Sequence, residues 1–196
     1  MRYWLAVVAF VTIPPAILYW FIVHPFVDFW RRVGKWGTFT FLGVMFVACG
    51  YGIWVARDTV LSTDFGTDAR LWVPAAVCYA LAAWLQIKIR RHLPFATLAG
   101  SPELDADGRG GRLLDEGVYA RVRHPRYVAI ILAIIAWALF TNFLGTYLLI
   151  VFTTVGLAGI VRFVERELVS RFGRAYEEYR SRVPMFIPRF GSVGDS

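Results

Sequence analysis

"YVAIILAIIAWALFTNFLGTYLLIVFTTVGLAGIVR", residues 127–162, is the longest apolar tract in the chain. A helix of about 20 residues crosses a bilayer, so this tract is too long for one span. Near its centre "LFTNFLGT", residues 139–146, brings polar residues and a glycine together. Two helices joined by a tight break are expected. Toward the amino end lie three further apolar segments, 3–23, 36–56 and 71–89, each bounded by charged or Pro/Gly-containing stretches. The expectation is an all-α integral membrane protein with about five transmembrane helices and one membrane domain over residues 1–196. Three spans fill residues 1–90, and the polar motifs fall in 91–196.

Composition agrees. With 58% hydrophobic and 17% aromatic residues and a mean hydropathy of +0.54, an ordinary soluble domain is excluded. Lys and Arg test the span count, because they gather in short loops on the cytoplasmic side. Five spans leave only Arg2, Arg57 and Arg70 on one side and the remaining 18 of 21 on the other. That predicts the amino end outside and the carboxyl end in the cytoplasm. The formal charge of +7 then follows from topology and anionic lipid, and nucleic acid is not an expected partner. Cys49 and Cys78 lie within apolar segments without metal-type spacing, so they read as packing residues and no metal is expected. The first segment reads as a retained helix rather than a cleaved leader, kinked by Pro14-Pro15.

"GVYARVRHPRY", residues 117–127, sets three arginines and a histidine against the start of an apolar run. Proline pushes the residue before it out of the α region and suits the first position of a helix. A helix therefore starts at Pro125, with His124 at its entrance and its positive end turned toward an anionic group. From Pro125 to about residue 140 that helix measures about 24 Å, against about 30 Å of hydrocarbon. The basic entrance is thus sunk below the headgroups, where ionisable residues mark a site. His24-Pro25 repeats the dipeptide without basic flank or tyrosine, and no role is assigned to it.

After the last apolar tract, "RFVERELVSRFGRAYEEYRSRVP", residues 162–184, has the pattern of a separate interfacial amphipathic helix that Gly173 can divide. Tyr176 and Tyr179 read as interfacial anchors, and Glu167 and Arg171 as a surface pair four residues apart. The polar insertion 90–116 reads as a loop, within which 97–104 is either a lid or a plain connection.

Taken together, the 117–127 motif, Glu165 and the "FGRAYEEYRSRVP" segment resemble the isoprenylcysteine carboxyl methyltransferase family and its bacterial relatives, over roughly the carboxyl-terminal half. The resemblance implies that S-adenosylmethionine is held at the cytoplasmic face of a membrane, here a bacterial plasma (inner) membrane. It falls on Gly117, Tyr119, Arg123, His124, Pro125 and Tyr127, then on Glu165, Phe172, Gly173, Tyr176, Tyr179, Val183 and Pro184. Many relatives carry two adjacent acids where this chain has Val164-Glu165-Arg166-Glu167, which leaves either glutamate as the site acid, with Glu165 favoured by spacing. Relatives often have glycine where Ala129 stands, implying a slightly tighter pocket wall.

On this resemblance Tyr119, Arg123, His124, Pro125, Tyr127, Glu165 and Glu167 are the cofactor-binding candidates, while Arg162 and Glu165 are the catalytic ones, with Arg162 meeting the acceptor. The chemistry is consistent, since a helix entrance with Arg and His suits a carboxylate, an acid suits an ammonium or ribose hydroxyls, and tyrosines can stack. The expected partners are the lipid bilayer and an amphiphilic or lipid-modified acceptor of carboxyl or thiol type. Two alternatives stand beside it. One is an NADPH-dependent membrane reductase of the sterol-reductase type, whose members usually carry Lys-Tyr-Gly-x-x-Trp where this chain has Phe172-Gly173-x-x-Tyr176. The other is a non-enzymatic lipid-binding membrane protein. Oligomeric state is not constrained by the sequence.

Overall fold

The computed structural model describes residues 1–91 and 113–188. Helix α1 (Arg2–Val23) leads through one 3-10 turn, His24–Phe26, into α2 (Val27–Val60), and a loop with a second 3-10 turn, Ala69–Leu71, leads into α3 (Trp72–Arg90). Then follow α4 (Pro125–Thr141), α5 (Leu144–Phe172) and the short α6 (Arg174–Arg182). No strand occurs among the described residues, only an isolated bridge between Asp64 and Phe143. Helices α1, α2, α3 and α5 are long and apolar enough to cross a membrane, and α4 is a shorter apolar helix. The all-α membrane architecture with about five apolar helices is therefore observed.

Three local features decide the course of the chain. At the expected break, Asn142 stands in the left-handed region at φ 57, ψ 46, a conformation that asparagine tolerates better than bulkier residues. Its amide donates to the Gly66 carbonyl at 3.0 Å and its carbonyl accepts from the Tyr147 hydroxyl at 2.8 Å. Arg2 seals the same corner by donating to the Thr141 carbonyl at 2.6 Å, the Gly66 carbonyl at 3.0 Å and Asp64 at 3.1 Å. Hydrogen bonding from Arg2 holds the Asp64 carboxyl below the usual carboxylate range. Second, Gly34 interrupts α2 with φ 82, ψ 161, dividing a short charged piece from the apolar run that starts at residue 36. Third, α1 continues as a helix through Pro14 and Pro15.

Packing places α5 against α4 and α1, α3 along α4, and α2 along α1. Close approach of α5 to α1 depends on small residues, as is usual where helices meet in lipid. A Cβ added at Gly156 would lie 2.7 Å from Ile17, and one at Gly159 would lie 2.8 Å from Phe21. The outward faces of α2 and α3 carry exposed Trp36, Val47, Tyr51, Val73, Tyr79 and Trp84, as expected for surfaces in contact with acyl chains.

One expectation is corrected. Residues 162–172 do not start a separate interfacial helix, because α5 runs unbroken from Leu144 to Phe172. At 29 residues it is about 44 Å long, so its last turns continue beyond the hydrocarbon and carry charge without any change of backbone. The break falls at Gly173, which adopts φ 54, ψ −130, a conformation closed to other residues. Most of the 90–116 insertion, including 97–104, lies outside the described residues.

Gly145 offers a test of the helix contacts. A Cβ there would sit 2.3 Å from the Val60 carbonyl oxygen, whereas one at Gly43 would meet nothing within 4 Å. Gly145→Ala is expected to destabilise the detergent-solubilised protein by about 1–3 kcal/mol, read as a lowered midpoint of thermal unfolding. Gly43→Ala should leave that midpoint unchanged or raise it slightly.

Candidate active site

The entrance of α4 is built as proline requires. His124 takes φ −122, ψ 56 and Pro125 opens the helix. The N–H groups of Tyr127 and Val128 turn back to the His124 carbonyl at 3.2 and 3.4 Å. Those first-turn donors are used locally, so the capacity to hold an anion rests chiefly on side chains. The segment before the helix is tied to the carboxyl end by backbone. The Arg123 N–H donates to the Pro184 carbonyl at 2.9 Å, and that of His124 to the Met185 carbonyl at 3.1 Å. The Tyr179 hydroxyl donates to the Tyr119 carbonyl at 2.7 Å.

Glu165, on the part of α5 beyond the apolar tract, reaches this entrance. Its Oε1 lies 2.9 Å from Arg123 Nη1 and 3.1 Å from His124 Nε2. The three side chains are only 12%, 9% and 7% exposed for Glu165, Arg123 and His124, and buried charge is tolerated only when paired. The pairing is incomplete. Arg123 Nη1 is close to the carboxylate without hydrogen-bond alignment, and Arg123 Nη1, Arg123 Nε and Tyr176 Oη are all buried without an aligned partner. The His124 ring stacks on Tyr127 at 5.6 Å and 16°, and Phe186 lies 6.1 Å away.

Two cavities border this network, one reached by Glu165 and the other by Tyr127. A polar one of about 400 Å³ is lined by Arg162, Glu165, Arg166, Val169 and Arg180. An apolar one of about 410 Å³ runs between α1, α4 and α5, from Trp20, Arg126 and Tyr127 to Ala9 and Trp137. The Arg126 guanidinium lies over the Trp20 ring at 5.4 Å. Tyr127 lines the apolar cavity and Glu165 the polar one, so the stacked Tyr127–His124 pair and its contact to Glu165 stand between them.

The structure thus gathers Tyr119, Arg123, His124, Pro125, Tyr127 and Glu165, with Arg162 on the polar cavity beside Glu165. Glu167 is not brought to that cavity. Two residues beyond Glu165, it points about 200° around the helix. Ala129 packs on Ile89 of α3 instead of lining the site. The reading of Tyr176 and Tyr179 as interfacial anchors is overturned, because they are 1% and 3% exposed. Gly173 turns α6 back onto the 113–124 segment, and both rings join a cluster with Leu113, Leu168, Val169, Phe172 and Val183. Burial pushes the phenols of Tyr119 and Tyr176 up to about 12, so both stay protonated at ordinary pH. Arg166, Arg180 and Phe186 were not expected at the site. The only sequence signal for the two arginines is their spacing, four residues after Arg162 and after Tyr176 respectively.

A family model described as phospholipid methyltransferase matches residues 71–175, more than half of the chain. The chain belongs to that family. Within it, the chain is 40% identical over 81 residues to the protein-S-isoprenylcysteine O-methyltransferase of Schizosaccharomyces pombe, an alignment covering 39% of this chain and 33% of that protein. It is 38% identical over 72 residues to methanethiol S-methyltransferase 2 of Bradyrhizobium diazoefficiens, covering 37% of this chain and 27% of the relative. A delta(14)-sterol reductase of Mus musculus is 32% identical over 81 residues, covering 40% of this chain and 19% of that protein. The chain therefore spans a third or less of the length of these relatives. No solved structure matches it. The phospholipid methyltransferase match includes the α4 entrance and Glu165 but stops one residue before Tyr176.

Tyr179 tests the fold-back of α6. Tyr179→Phe keeps the ring and leaves the buried Tyr119 carbonyl without its donor, which is expected to cost about 1–3 kcal/mol. The measurement is thermal unfolding together with faster tryptic cleavage in 174–182.

Proposed function

We propose that the chain is an S-adenosylmethionine-dependent integral membrane methyltransferase acting on a lipophilic or lipid-modified acceptor of carboxyl or thiol type. The observation that carries this reading is the buried Arg123–His124–Glu165 network standing between one polar and one apolar cavity. The residues fit the cofactor. Incompletely matched N–H groups of Arg123 face an anion, the Glu165 carboxylate faces a cation, and the tyrosines offer ring surface. S-adenosylmethionine supplies a sulfonium methyl group, lost to an acceptor oxygen or sulfur as the carbon–sulfur bond breaks and its electron pair passes to sulfur.

For such a displacement a carboxylate or thiolate acceptor needs alignment and exclusion of water more than a strong base. Pro125 fixes the entrance that presents His124, and Tyr127 stacks on that ring at the edge of the apolar groove. Arg162 receives the polar head of the acceptor, and Glu165 holds the cationic part of the cofactor. The apolar groove opens among membrane-embedded helices, so an acceptor with a hydrocarbon chain enters sideways from the bilayer while the cofactor enters from the cytoplasm. The lysine and arginine distribution supports the carboxyl end being cytoplasmic. An NADPH-dependent reductase is the second reading, favoured by the likeness to the mouse sterol reductase and opposed by the Phe172-Gly173-x-x-Tyr176 sequence.

Calorimetry on detergent-purified protein separates the two. S-adenosylmethionine and S-adenosylhomocysteine should give binding heat and raise the unfolding midpoint, while NADPH should do neither. Absence of both effects with the adenosyl compounds at millimolar concentration, in folded protein, overturns the proposal. The division of roles is tested by two variants of matched stability. Glu165→Gln should weaken S-adenosylhomocysteine binding about 10-fold or more through loss of a charge-assisted contact. Arg162→Ala should spare it and raise the acceptor KM or lower kcat, and loss of cofactor affinity in Arg162→Ala alone would reverse the assignment.

A further inference from the structure

Two tyrosines one turn apart on α6 are used differently. The Tyr179 hydroxyl is committed to the Tyr119 carbonyl. Tyr176 is more deeply buried, at 1% exposure, yet its hydroxyl has no aligned partner. Arg123 Nε and Nη1 are in the same condition. Buried polar groups are nearly always satisfied, and those left over call for an explanation. The packing around Tyr176 gives none, since Leu168, Val169, Phe172 and Val183 are apolar and secure the ring without needing its hydroxyl. Phenylalanine would fill the same place.

The charged neighbours of that hydroxyl are Glu165 and Arg123, both of which act on its titration. Both close contacts to Glu165 go to the same oxygen, Oε1. The cluster therefore offers two kinds of donor, a phenol and a guanidinium, next to one carboxylate acceptor. An α-amino acid zwitterion presents the complement, two carboxylate oxygens that accept and an ammonium that donates. A nucleoside has no such pair of opposite charges. Tyr176 belongs to α6, which packs against α5 and whose Arg180 lines the polar cavity beside Glu165.

We infer that Tyr176 Oη and Arg123 Nε together hold the α-carboxylate of the methyl donor, with Glu165 facing its α-ammonium. This rests on the methyltransferase reading above and adds Tyr176 as a ligand-contacting residue. The phenol remains protonated, with burial raising it to about 12, so it donates and the ligand carboxylate accepts. Recognition of the amino-acid end then requires α6 to be docked, because Tyr176 reaches the cluster only when Gly173 folds that helix back.

The test compares two probes on wild type and Tyr176→Phe by calorimetry. S-adenosylhomocysteine carries the amino-acid end, and 5′-methylthioadenosine shares the adenosine and thioether but lacks it. Tyr176→Phe should lower S-adenosylhomocysteine affinity about 10- to 100-fold, the range for a hydrogen bond to a charged group, and leave methylthioadenosine affinity unchanged. Tyr179→Phe should lower stability and change the ratio of the two affinities far less than Tyr176→Phe, because it leaves the Tyr176 hydroxyl in place. An unchanged ratio in Tyr176→Phe overturns the inference while leaving the methyltransferase reading intact. Should Tyr176→Phe not fold, wild type alone decides with decarboxylated S-adenosylhomocysteine. Weaker binding of that compound than of the parent supports a held carboxylate, and equal binding overturns it. Failure of wild type to bind either S-adenosylhomocysteine or methylthioadenosine would instead bring down the methyltransferase reading, and this inference with it.

Discussion

Oε1 of Glu165 lies 2.9 Å from Arg123 Nη1 and 3.1 Å from His124 Nε2, and the rest of the site is arranged so that this one oxygen can be reached. A carboxylate that is nearly shut away from water persists only beside opposite charge, and removing one partner leaves a charge whose desolvation is not compensated. The geometry follows from that demand. Helix α5 must continue past its apolar part to carry Glu165 to the α4 entrance. The chain before α4 must be held still, and backbone bonds from Arg123 and His124 to Pro184 and Met185 hold it. Helix α6 must fold back, and the Tyr179 bond to Tyr119, 60 residues away in the chain, closes that turn.

The bilayer sets the second constraint. Helix α4 has 17 residues and α5 has 29, about 26 and 44 Å at the standard rise. Joined only through Asn142 and Phe143, they share a level at one end and differ by several turns at the other. The short helix leaves a recess there and the long one supplies its wall. Irregular backbone at such a depth is tolerated only where its polar groups are satisfied inside the protein. The 119–124 segment meets this through Tyr179, Pro184 and Met185. A polar cavity and an apolar one can then lie on either side of the same histidine.

Much of this was legible in the residues. The Asn142 break follows from polar residues in an overlong apolar tract, the α4 entrance from His124-Pro125, and the end of α5 from Gly173. Glu165 was favoured by spacing, but only the helix geometry separated it from Glu167, because two residues turn a side chain to nearly the opposite face. What was missed shares a cause. The shift from apolar to charged composition at Arg162 looked like the start of a new element, although a helix leaving the membrane changes its solvent and not its backbone. Tyr176 and Tyr179 sit among charges and so read as interfacial, and their burial depends on a fold-back that periodicity does not encode. Ala129 was assigned to the wrong neighbour because contacts between α3 and α4 leave no local mark.

The apolar groove draws its walls from both inside and outside the family match. Tyr127, Ile130 and Trp137 come from α4 and Leu157 from α5, all within the 71–175 family match, whereas Ala9, Ile13, Ala16 and Trp20 come from α1, which lies outside it. The Arg123–His124–Glu165 network therefore lies inside the matched region, and the α1 side of the groove lies outside it. On the methyltransferase reading, the reaction centre can stay fixed while the chain preference drifts through substitutions in a single helix. Substitutions on the α1 wall would then reshape the groove without touching a residue of the network.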